Sequence, residues 1–247
     1  MIITIVNQKG GTGKTTTAMN LAVSLSKSDN KVLLVDWDPQ SNLSFSFGVT
    51  SFKHSVSDVI TEDCSLSEAI IEQEGIDILP ADYSLADIEL SLTNLEDREM
   101  VLKELLREQA LEYDFIIIDC LPALSLLTIN ALVACDKIII PLQLTVLSMQ
   151  GLDQVINLIE RVKKLWNPSL KILGVLPVLF DSRLKVCKEV LDFMSENFDL
   201  HVFNNFIRRN VKVIEAPSHG VSLMSYAPNS IAAKDYNAFK EELVEML

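Results

Sequence analysis

Residues Asn7 to Thr17 read NQKGGTGKTTT, which places two lysines, Lys9 and Lys14, on one glycine-rich turn. Gly10, Gly11 and Gly13 allow the backbone to close round an anion, with successive N–H groups turned toward phosphate oxygens. In such a turn Lys14 reaches the β- and γ-phosphates of a nucleotide and the Thr15 hydroxyl ligates a magnesium ion. Thr12 and Thr16 belong to the same turn, so Lys9 to Thr16 is the expected nucleotide contact. The ordinary pattern G-x-x-x-x-G-K-[ST] is not met, because its first glycine falls on Gln8. One ammonium accounts for phosphate binding in cis; the second, Lys9, needs another role.

Two further stretches carry lone carboxylates at the ends of apolar runs: Asp36 in VLLVDWDPQSN and Asp119 in FIIID. A strand that ends in this way delivers its carboxylate to the carboxyl edge of a parallel sheet, where ligands bind in such folds. Asp38 lies just beyond, on a turn constrained by Pro39, free to respond to a γ-phosphate.

The elements that must position these groups are visible as short β-branched runs alternating with longer helical stretches. The runs are Ile2 to Val6, Lys31 to Asp36, Ile76 to Pro80, Phe115 to Asp119, Lys137 to Pro141 and Lys171 to Phe180, with a shorter one at His201 to Phe203. Between them, apolar residues recur at helical spacing, as in Leu21 and Leu25, or Val155, Leu158, Ile159 and Val162. The pattern predicts a doubly wound α/β fold, a mostly parallel sheet flanked by helices, over one domain spanning 1–247.

Composition narrows the class. The formal net charge of -13 argues against a constitutive nucleic-acid binder, though it leaves room for a local basic face. Cys64, Cys120, Cys135 and Cys187 form no C-x-x-C pair and the three histidines are scattered, so neither a zinc site nor a disulfide framework is signalled. The start runs straight into the first strand, and no apolar run is long enough to span a bilayer, so a cytoplasmic protein is expected. Residues 51–114 hold half of the 34 carboxylates and few cations, a surface suited to basic peptides.

The turn K-G-G-x-G-K-T-T resembles the deviant Walker A motif of the ParA/MinD P-loop ATPases. VLLVDWDPQSN, FIIIDCLPALSLLTINAL and IRRNVKVIEAPSHG are similar to the switch, Walker B and C-terminal segments of its ParA/Soj branch. The resemblance covers Ile2 to about Tyr236. It implies a P-loop NTPase fold using ATP and Mg²⁺, with Lys9 reaching across a homodimer interface to the partner's phosphates, much as an arginine finger does. By the same resemblance Asp38 positions or activates the attacking water, Asp36 lies near the metal's water shell, and Asp119 holds Mg²⁺ through water. Arg209 and Asn210 then fall at the nucleotide, and Arg183 and Lys212 are the cations for non-specific double-stranded DNA.

The implied function is chromosome or plasmid partitioning: an ATP dimer on DNA, nucleoid-associated when ATP-bound, released when a ParB-like partner stimulates hydrolysis. No helix-turn-helix module precedes the turn, so sequence-specific operator binding is not expected. The alternative is a MinD-like or protein-cluster-positioning ATPase acting without DNA. The chain's end, YNAFKEELVEML, has three glutamates against one lysine and argues against membrane binding. An iron–sulfur relative would need a cluster-binding context that Cys120 and Cys135 lack, and a single-chain metabolic ligase would have little use for Lys9. Five positions depart from the branch's pattern: Leu121 and Arg208 replace prolines, Ala123 replaces a serine, Thr145 replaces an acid, and Val221 replaces a cation.

Overall fold

The computed structural model describes all residues, 1–247. Eight strands form one sheet: β1 (Ile2–Ile5), β2 (Val32–Trp37), β3 (Ile71–Gln73), β4 (Ile76–Leu79), β5 (Phe115–Cys120), β6 (Lys137–Gln143), β7 (Lys171–Phe180) and β8 (Ile207–Arg208). Their spatial order is β3-β4-β2-β5-β1-β6-β7-β8. Every neighbouring pair is parallel except the β3–β4 hairpin at one edge. The central strands are buried on both sides, which is why they read as continuous rather than alternating apolar runs.

The helices are α1 (Lys14–Ser26), α2 (Asn42–Ser46), α3 (Val56–Ile60), α4 (Leu66–Ala69), α5 (Ser84–Leu92) and α6 (Val101–Leu106), followed by α7 (Leu126–Ala134), α8 (Val146–Leu165), α9 (Lys185–Asn197), α10 (Lys212–Ser218), α11 (Leu223–Tyr226) and α12 (Ile231–Glu245). They cover both faces of the sheet. Ile117 and Leu34 point into one core layer with α1, α11 and α12, while Ile116, Ile118, Leu33 and Val35 point into the other with α5 to α9. This is the two-sided α/β architecture that the alternation of strands and helices predicts.

Two elements differ from the sequence expectation. His201 to Phe203 does not form a strand: Val202 makes a single bridge to Val175, and Phe203 turns into the core against Phe239, ring centroids 4.8 Å apart. The ladder resumes at β8, four residues later, after a register irregularity beside Leu179, whose φ of 53° is left-handed. β3 was not signalled by the sequence at all, and it pairs antiparallel with β4.

The register of the central strands does the positioning. Asp36 on β2 lies directly beside Asp119 on β5, and Trp37 lies beside Cys120. Both carboxylates thus arrive together at the carboxyl edge, where the β1–α1 turn also emerges.

Candidate active site

The glycine turn is anchored before it bends. The Val6 N–H donates to the Ile139 carbonyl (3.1 Å), the Asn7 amide donates to the Pro141 carbonyl (2.7 Å), and the Asn7 side-chain oxygen accepts the Lys9 N–H (3.0 Å). β6 therefore fixes the start of the turn. Gly11 and Gly13 then take φ of 72° and 74°, the left-handed region where a side chain would be strained. Gly13 precedes α1, whose N-terminus has no side-chain cap and no acidic residue in its first turn. Bare N–H groups at a helix start form an anion site.

Lys14 is buried, and its ammonium donates to the Lys9 carbonyl at 3.2 Å, curling back over the turn. Burial pulls its pKa down, opposed by the carboxylates of Asp119 and Asp38. Lys9, five residues earlier, is exposed. The two lysines occupy different environments, as different roles require. Thr12 Oγ1 donates to the Lys9 carbonyl (3.1 Å), tightening the turn.

The three carboxylates are also distinct. Asp36 is fully buried and both of its oxygens accept hydrogen bonds: Oδ2 from the Ser44 N–H (2.9 Å) and hydroxyl (2.7 Å), Oδ1 from the Asp38 N–H (3.3 Å). It ties α2 to the end of β2, and burial pushes its carboxyl up to about 6. Asp119 differs: Oδ1 is buried with no protein partner, and the nearby Thr15 hydroxyl favours its charged form. Burial, and then the neighbouring Asp36, raise its pKa well above the usual range. A hydrated cation beside Thr15 would satisfy that orphaned oxygen, so Thr15 and Asp119 fit magnesium. Asp38 is buried too, its pKa raised by burial; Oδ1 accepts the Gln40 N–H (2.9 Å) and Oδ2 accepts from no protein group.

A cleft of about 190 Å³ runs along the turn, with Gly10, Gly11, Gly13, Lys14, Thr15 and Thr16 on one wall and Asp38, Asn42, Cys120 and Pro122 on the other; Asp36 and Asp119 do not line it. A second recess opens beyond Thr15 and Thr16, lined by Met19, Asn20, Val213, Ala216, Pro217 and Leu223. Its α10 wall was not foreseen from the sequence. Arg209 and Asn210 line neither space: the Arg209 N–H donates to the Phe180 carbonyl and Asn210 Oδ1 accepts the Lys212 N–H, so both organise the approach to α10.

The remaining sequence candidates lie apart from the cleft, and each cation has an acid beside it. Arg183 makes a two-pronged pair with Asp181 (2.8 and 2.6 Å), and Lys212 pairs with Glu215 (2.8 Å). Arg208 pairs with the buried Asp235 and lines a separate recess with Phe180, Asn204, Asn205 and Phe206, so it does not alter the cleft. Thr145 bonds to the Ser148 hydroxyl (2.7 Å) at the start of α8. No helix is long and apolar enough to cross a membrane.

A parallel sheet with a glycine turn, buried lysine and strand-end carboxylates at its carboxyl edge defines a P-loop nucleotide-binding protein. A model of the AAA domain family matches residues 1–172. The chromosome partitioning protein ParA of Myxococcus xanthus is 40% identical over 248 residues, covering 99% of this chain and 88% of the relative. The sporulation initiation inhibitor protein Soj of Bacillus subtilis is 39% identical over 246 residues, covering 98% and 97%. Among solved structures, one described as cobyrinic acid a,c-diamide synthase from Mycobacterium smegmatis, with a bound ATP analogue and magnesium, has a TM-score of 0.87 at 35% identity, covering 99% and 94%. The chain belongs to the ParA/Soj family of P-loop ATPases.

Proposed function

We propose that the chain, acting as one domain over residues 1–247, is a Mg²⁺-dependent ATPase that cycles between a monomer and an ATP-bound homodimer for partitioning of a chromosome or plasmid. The observation that carries the reading is the contrast between the lysines: Lys14 is buried in its own cleft, while Lys9 is exposed on the same turn. A cation left outside a phosphate site is available to a second copy. The phosphates would lie along Gly10 to Thr16, with Lys14 on the β- and γ-groups; the recess walled by Val213, Ala216 and Pro217 measures only about 10 Å³, so α10 would have to move outward to admit the nucleoside there. Thr15 and Asp119 would hold the magnesium ion, which offsets charge on the transferred phosphoryl group. Asp38 Oδ2, the oxygen with no protein donor, would orient the attacking water. Asp36 holds α2 and the Asp38 turn in place rather than meeting the metal's water directly.

The ATP dimer would bind non-specific double-stranded DNA through Arg183 and Lys212, and a ParB-like partner, drawn to the acidic surface of residues 51–114, would stimulate hydrolysis and release. One observation favours the alternative of a protein-positioning ATPase without DNA: both cations are neutralised by Asp181 and Glu215. Binding to DNA would require Arg183 and Lys212 to exchange these partners for phosphates.

The test combines Lys9→Ala and Asp38→Ala in light scattering with ATP and Mg²⁺. Asp38→Ala should bind ATP and accumulate as a dimer with turnover lowered roughly 100-fold. Adding Lys9→Ala should abolish that dimer while ATP still binds. A dimer unaffected by Lys9→Ala would refute action in trans. A gel shift of Asp38→Ala with duplex DNA and ATP then decides between the DNA and the DNA-independent readings.

A further inference from the structure

Trp37 stands between the two switch carboxylates, Asp36 and Asp38, and is fully buried. A buried ring could be held by packing alone, but here the indole Nε1 donates to the Leu127 carbonyl at 2.8 Å. Leu127 is the second residue of α7, the helix that follows the Asp119 loop. Its N–H is taken by Glu89 Oε1 of α5 at 3.2 Å. The residue placed to cap α7 is Ser125, yet its side chain makes no cap bond and its hydroxyl is buried without a partner. A neighbouring helix thus supplies the cap that the chain's own serine does not. One residue, Leu127, is gripped through its N–H from α5 and through its carbonyl from the Asp36–Asp38 segment.

We infer that Glu89 and Trp37 are positioning residues for hydrolysis, fixing the Asp38 carboxylate relative to the cleft through Leu127. The inference rests on the hydrolytic reading above. Asp38 must present Oδ2 within hydrogen-bond reach of a water, and small displacements of such a group are expensive in rate. Displacement of the buried Trp37 ring would pull on the backbone that carries both flanking carboxylates. The directed N–H bond opposes that displacement, and Glu89 holds the acceptor still. α5 thereby becomes a lever on the hydrolytic carboxylate from outside the cleft, through a contiguous chain of contacts.

The experiment is steady-state hydrolysis of MgATP by the full chain. Trp37→Phe keeps an aromatic ring and removes the donor; it should lower kcat about tenfold with KM little changed. Glu89→Ala should act in the same direction, whereas Glu89→Gln, which keeps an acceptor oxygen, should restore most of the rate. The double variant Trp37→Phe with Glu89→Ala should be no slower than Trp37→Phe alone, since both act through one residue, Leu127. A second readout is spectroscopic: the chain has two tryptophans, so in a Trp166→Phe background Trp37 emission should shift when Glu89 becomes alanine. Trp37→Phe turning over at the wild-type rate, or multiplicative losses in the double variant, would overturn the inference while leaving the ATPase reading intact. A wild-type chain that hydrolyses no ATP would overturn the ATPase reading itself, and the inference with it.

Discussion

Raising the pH from about 4 to about 7 should remove the stability that Asp36 lends the nucleotide-free protein while it is protonated. Its carboxyl is pushed from 3.8 up to about 6, first by complete burial, with the Asp38 charge adding and the Ser44 bonds opposing. Between those two values the folded chain retains a proton that the unfolded chain has released. The native state then binds more protons than the unfolded state, so stability falls as pH rises. The contribution is fully present below 3.8 and is lost as pH climbs through about 6. About two units at about 1.4 kcal/mol each amount to about 3 kcal/mol. Asp119 shifts in the same direction and reinforces the sign.

Urea unfolding midpoints across this range, for the wild type and Asp36→Asn, measure it. The variant loses carboxylate acceptors for Ser44 and should be weaker by a roughly constant 1–3 kcal/mol, so the comparison is of slopes. The wild-type curve should fall more steeply than the variant's across the window. Adding MgADP should flatten the wild-type curve, because a cation near the buried carboxylates favours their charged forms. Parallel curves for the two proteins would refute the reasoning, because the buried carboxyl would then not be titrating as its surroundings require.

Lys14→Ala removes the cleft's buried cation and should weaken ADP binding at least about tenfold, measured by displacement of a fluorescent nucleotide; unchanged affinity would place the phosphates elsewhere. Arg208→Ala leaves Asp235 buried with only the backbone N–H of residue 208 from its former pair. Breaking a fully buried pair costs about 3–5 kcal/mol, but Arg208 is half exposed, so about 1–2 kcal/mol is expected from thermal melts with nucleotide affinity unchanged.

What was legible in the chain was whatever a local pattern encodes. β5 announces itself as a β-branched run, and Asp119 as the one charge that ends it; the same holds for β2 and Asp36. β3 has no such signature: Ile-Glu-Gln is three residues, partly exposed, and exists because β4 offers it an edge. The recess beside α10 was invisible for a related reason, since Met19 and Pro217 meet only after the whole sheet has been wound. Glu89 and Leu127 lie 38 residues apart, and Arg208 and Asp235 lie 27 apart, beyond any periodicity.

Charge behaves differently, and the two proposed DNA cations show how. Asp181 precedes Arg183 by two residues and Glu215 follows Lys212 by three, so both neutralising partners were in view in FDSR and KVIE. Counting cations without their close neighbours overstates a basic face; counting local pairs would have predicted what the side chains do. The consequence reaches function. A phosphate backbone must compete with a tethered carboxylate at each cation, which one weak contact cannot do but several presented together can. Dependence of DNA binding on the ATP dimer would then follow from local sequence as much as from quaternary structure. Replacing Asp181 and Glu215 by their amides should relax that dependence, letting the monomer shift duplex DNA at low salt; a variant still silent as a monomer would show that the acids are not what holds binding back.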